Sequence, residues 1–64
     1  MNSTEAIAAL KAANTARLTS DKLERLKANR AFKIAARALW NAWKNEGHPD
    51  HVTEVLNAYG IDLA

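Results

Sequence analysis

The sequence predicts an all-α domain of three helices with a long central element, and three observations carry that expectation. Alanine supplies 14 of the apolar residues that make up 48% of the 64-residue chain, and alanine costs least in a helix. Neither glycine nor proline, the residues that interrupt helices, occurs before Gly47. β-branched residues never alternate with polar ones over the length of a strand.

A chain this short forms one domain at most, residues 1–64. Domains of this size bury only about 60% of their unfolded surface, and here much of the apolar content is the small methyl of alanine. The core is therefore thin, and a homodimer that completes it is expected. With no cysteine there is no disulfide framework, thiol nucleophile or cysteine zinc site, which fits a reducing, cytoplasmic location. No basic-then-apolar leader opens the sequence, and no run of about 18 apolar residues occurs, so neither secretion nor membrane spanning is expected. The length and helical pattern are those of many small bacterial and phage accessory proteins.

The first helix is expected over about residues 4–17. Ser3 or Thr4 can accept hydrogen bonds from its free amides, and Glu5 suits the positive end of its dipole. Ile7, Leu10 and Leu18 fall on one narrow line, with Ala6 and Ala13 beside it. Thr19, Ser20 and Asp21 supply capping groups, which reads as a stop and restart; a helix continuous through Ser20 is the competing reading.

The second helix, about 21–46, is the longest. At about 100° per residue, Ala28, Phe32, Ala35, Ala36, Leu39, Ala42 and Trp43 gather on one face. Leu23, Ala31, Ile34 and Ala38 lie on a second, nearly opposite side, so neighbouring helices or another copy of the chain must cover both. Gly47 suits the left-handed residue after a helix, and Pro49 suits the first turn of the next. The third helix, about 50–59, carries Val52, Val55, Leu56 and Tyr59 at helical spacing. Gly60 ends it, with Ile61 able to pack back on the last turn. Phe32, Leu39, Trp43, Val52, Val55, Leu56 and Tyr59 are expected to form most of the core, joined by Ile7 and Leu10. Replacing Phe32 with alanine should cost about 3–5 kcal/mol if that ring is fully buried.

Charge is uneven. The central helix carries a net charge of +4, from seven basic and three acidic residues, whereas residues 47–64 carry −3. Arg30, Lys33, Arg37 and Lys44 form one stripe, with Trp40 at its margin between Arg37 and Lys44. Such a stripe can dock an acidic protein surface with the indole as anchor, or contact phosphates while the indole stacks on a base. The plainer reading is a solvated polar face, with Trp40 packed under a neighbouring helix or, in a purely structural oligomer, inside the self-interface.

Other chemistry fares worse. A helix-turn-helix across Gly47 would make the third helix the reader of bases, yet it carries Asp50 and Glu54 and no lysine or arginine. His48, Asp50 and His51 crowd together, but a zinc site would need Glu46 or Glu54 as well, and capping of the helix start is more economical. Ser3, Ser20, His48 and Asp50 have the residue types of a hydrolytic triad, with nothing to unite them or enclose a pocket. Two glycines 13 positions apart make no phosphate loop. Trp40 and Trp43 lie about 60° apart on different margins, the apolar face is mostly alanine and an acidic third helix follows, a poor fit to a membrane surface.

The sequence thus predicts no enzyme, no cofactor and no metal. It predicts a module that regulates or inhibits a larger protein, docking Arg30, Lys33, Arg37, Trp40 and Lys44 on an acidic surface. A small nucleic-acid-binding regulator using the same face is the alternative.

Overall fold

In a computed structural model, which describes residues 2–61, the chain forms three helices: α1 (Ser3–Ala16), α2 (Lys22–Asn45) and α3 (Asp50–Ala58). Among the described residues there is no strand. The all-α, three-helix reading therefore holds, and α2, at 24 residues, is the long element.

The α1 start differs by one residue from expectation. Asn2, not Ser3 or Thr4, is the cap: its side chain accepts from the Glu5 amide at 2.8 Å, and its own amide donates to the Glu5 carboxylate at 3.3 Å. This reciprocal pair satisfies two amides that the first turn would otherwise leave bare. Ser3 is thereby freed for a different bond, described below.

The chain does break before Ser20. α1 ends at Ala16, with Arg17 as its last cap, and Asp21 restarts the helix by accepting from the Glu24 amide at 3.1 Å. No glycine is needed, because the segment leaves through right-handed turn geometry and the Asp21 carboxylate supplies the new cap. Leu18, expected on the buried line of α1, falls in this turn and is 79% exposed.

Both later helices end in the same motif. After α2, the His48 amide donates to the Trp43 carbonyl at 2.8 Å, with Gly47 at φ 78° and His48 at φ 59°. After α3, Gly60 takes φ 70° and the Ile61 amide donates to the Leu56 carbonyl at 2.9 Å. In each case a left-handed residue turns the chain back so that two terminal carbonyls are satisfied. Ile61 packs against the core as the spacing implied. α3 starts at Asp50 as expected, with Pro49 as its cap rather than in its first turn, and the Pro49 carbonyl accepts from Val52 and Thr53.

α1 and α2 form a helical hairpin whose facing surfaces are small. Ser3, Ala6, Leu10 and Ala13 are buried on α1, and Ala28, Ala35, Leu39 and Ala42 on α2. α3 lies over the half of the hairpin away from the connecting turn and adds Val52 and Leu56 to a core with Ala6, Leu10, Ala35 and Leu39. Of the expected core, Leu10, Leu39, Val52 and Leu56 are its largest fully buried side chains. Ile7, Phe32, Trp43, Val55 and Tyr59 are instead half-buried around its margin, because alanine faces let the backbones approach and leave no room for rings between them. Phe32 sits under the Arg17 guanidinium, 4.0 Å from its ring centroid, and against Tyr59 at 6.0 Å.

A nine-residue α3 cannot cover a 24-residue α2. Among the described residues, four large apolar side chains are left open: Leu18 at 79%, Leu23 at 60%, Leu26 at 57% and Ile34 at 65% exposure. Of the second apolar side of α2, only Ala38 is packed against the core; Leu23, Ala31 and Ile34 are exposed. The neighbouring helices thus cover one side of α2 and not the other. No helix among the described residues is long and apolar enough to cross a membrane.

Candidate partner-binding face

The outer face of α2 is built on an element that is fixed on its inner side. Ala35, Leu39 and Ala42 anchor the helix in the core, so residues about half a turn round from them must face outward. Arg30, Lys33, Arg37 and Lys44 are all exposed there, and Trp40 is half-buried at the margin. The Lys44 ammonium lies 4.4 Å from the centroid of the Trp40 ring. At an exposed site such a contact is worth about 0.5–1 kcal/mol, and it holds the lysine stem along the indole.

Positive charge on this face is uncompensated along the helix. Positions three and four residues either side of Arg30, Lys33, Arg37 and Lys44 hold no Asp or Glu. Of the three carboxylates on this segment, Asp21 caps α2, Glu46 reaches across to α1, and Glu24 lies in the first turn, six residues before Arg30. A stripe of like charges on one rigid element attracts anionic surfaces and lacks the internal pairing that would neutralise it.

Beside the stripe lies an open groove of about 340 Å³, lined by Lys33, Ala36, Arg37, Trp40 and Ile61. Ile61 enters it from the turn after α3, so the groove exists only because the third helix turns back on the second. The Trp40 indole nitrogen is closed off from solvent and has no hydrogen-bond partner among the described residues. A buried donor left without an acceptor costs about 1–3 kcal/mol. Trp43 is the contrasting case: its indole donates to the Thr53 hydroxyl at 2.8 Å, and Thr53 donates in turn to the Pro49 carbonyl at 3.2 Å. Trp43 is thus fastened to α3, whereas the Trp40 indole N–H has no acceptor among the described residues.

Two features of this face were not singled out by the charge pattern. Leu23 and Leu26 extend the stripe toward the hairpin tip; the signal was their spacing, three and four residues apart in continuation of Arg30 and Lys33. Ile61 could be placed in the groove only by the fold.

The residues weighed for metal or hydrolytic chemistry make other contacts. His48 stacks on Trp43 with ring centroids 3.9 Å apart. Glu46 accepts from the Ser3 hydroxyl at 2.7 Å and from the Ser3 amide at 3.0 Å. Those two bonds, the hydroxyl's first, hold the Glu46 carboxyl below its ordinary value of 4.5 against some desolvation, with a lesser pull from the His51 charge. Among the described residues no three of His, Cys, Asp and Glu gather as metal ligands would.

Fold and face together define a small helical hairpin, braced by a third helix, that presents one basic, partly apolar helix side. Compared with known proteins, the chain matches no family model, no curated protein and no solved structure.

Proposed function

We propose that this protein is a non-enzymatic binding module that regulates or inhibits a larger protein by docking the outer face of α2 on an acidic surface. The observation that supports this reading is the stripe Arg30, Lys33, Arg37 and Lys44, exposed and without a carboxylate one turn away along the helix, beside the part-buried Trp40 indole. Charge would orient the encounter, and Trp40 would supply the desolvated anchor that interfaces concentrate their energy in. The test is affinity capture of the tagged chain from a bacterial lysate, with and without nuclease, beside an Arg37→Glu/Trp40→Ala variant. A stoichiometric protein that survives nuclease and is lost with the variant is the expected result. Recovery of nucleic acid alone, removed by nuclease and weakened steeply by salt, would overturn it in favour of phosphate binding.

A second reading is association of two copies, and the observation in its favour is the open apolar set Leu18, Leu23, Leu26 and Ile34. Sedimentation of the wild-type chain and a Leu26→Ser variant tests it: a dimer dissociated by that substitution supports it, and a wild-type monomer at micromolar concentration rules it out.

A further inference from the structure

We infer that the outer face of α2 is a seam for one acidic amphipathic helix of a partner, an inference that rests on the protein-docking reading and names what docks. Starting at Leu23, steps of alternately three and four residues reach Leu26, then Arg30 and Lys33, then Arg37 and Trp40, and end on Lys44. That alternation keeps one row of side chains facing a second helix along its length. The row spans 21 residue steps, about 32 Å at 1.5 Å each, which is close to the length of α2 and needs a partner helix of about six turns.

The row is graded. Its hairpin-tip end is apolar, with Leu23 and Leu26 more than half exposed, and Ile34 lies exposed at mid-helix to one side of the row. Its other end is cationic around Trp40 and the groove that Arg37 shares with Ile61. Phosphates have no use for the apolar end, which requires apolar side chains opposite. A second copy meets it with leucine but sets Arg30, Lys33 and Arg37 near the same cations of its mate, and like charges so placed repel. An acidic helix with apolar residues at the same alternating spacing satisfies both ends. A carboxylate on it can pair with Arg37.

The test uses the full chain and fluorescently labelled synthetic peptides of about 24 residues, followed by anisotropy at about 0.15 M salt. The first peptide is helical, with leucine at alternating three- and four-residue spacing and glutamate on its flanks. The second has the same composition scrambled so that the leucines share no face, and the third replaces glutamate with lysine. Saturable binding of the first is expected, weakened at least about tenfold by scrambling, by lysine replacement, and by Arg37→Glu or Leu26→Ser in the protein. Both substituted positions are exposed, and unchanged circular dichroism will show that the fold is kept. Equal binding of the scrambled peptide overturns the seam, because charge alone then suffices. No binding of the helical peptide overturns it also; should the lysate capture still lose its protein with the Arg37→Glu/Trp40→Ala variant, protein docking stands and only the helical partner fails.

Discussion

Ser3 and Glu46, 43 positions apart, close the open end of the helical hairpin. The Ser3 hydroxyl and amide donate to the two oxygens of one carboxylate, at 2.7 and 3.0 Å. Ser3 is the first residue of α1 and Glu46 the cap that ends α2, so the carboxylate meets the positive end of the α1 dipole while it fastens the two helices. The connecting turn holds the hairpin at one end, and this pair holds it at the other.

Because binding lowers the Glu46 carboxyl from 4.5, the pair stabilises the fold above that pH and its contribution is lost as pH falls through the lower, folded value. Thermal melting followed between neutral pH and about pH 3 should therefore show an acid limb that Glu46→Gln flattens. Ser3→Ala should lower the melting temperature at neutral pH, and a double-mutant cycle should show that the two substitutions are not additive. Additive effects would mean that the two residues act separately.

Core substitutions should rank by burial rather than by side-chain size. Leu39 is fully buried, and Leu39→Ala should cost about 2–5 kcal/mol, enough to abolish cooperative melting in so small a chain. Phe32 is half-buried under Arg17, so Phe32→Ala should cost less than the 3–5 kcal/mol typical of a buried ring, about 2 kcal/mol, and leave the helical signal in place. Chemical denaturation followed by circular dichroism compares the two; the reverse ranking would displace Leu39 from the centre of the core.

The restart of the helix after the turn depends on one carboxylate. Asp21→Ala removes the acceptor for the Glu24 amide and should cost about 1 kcal/mol, with faster amide exchange confined to the first turn of α2. Exchange that is unchanged at residues 22–25 would show that the cap is dispensable.

Thr53 fastens Trp43 to α3. Thr53→Val removes the acceptor and leaves the indole donor partly buried, at a cost of about 1–2 kcal/mol, with a change in the near-ultraviolet signal of the indole. A near-ultraviolet spectrum identical to wild type would mean that Trp43 is held by stacking on His48 alone.

Local chemistry made much of the fold legible in the sequence. Asp21 marked the restart, Gly47 and Gly60 marked two helix ends, and Leu10, Leu39, Val52 and Leu56 appeared at core spacing, because caps and helical period are properties of residues a turn apart. The basic row was legible for the same reason: Arg30, Lys33, Arg37 and Lys44 share a face of any helix that contains them. Less legible was the depth of each side chain. Phe32, Trp43 and Tyr59 share the core side with Leu39, yet the ring positions fall at the margin once alanine faces bring α1 and α2 together.

The sequence by itself determined three helices, their order, their approximate ends and the face on which the cations lie, all of which follow from contacts within a few residues along the chain. Only the tertiary structure decided that Ser3 would meet Glu46, that Ile61 would turn back to line a groove with Trp40, and that Leu23, Leu26 and Ile34 would stay open. These depend on how closely two alanine faces approach and on how far the nine-residue α3 reaches along its neighbours, distances set by packing between elements that no local spacing encodes.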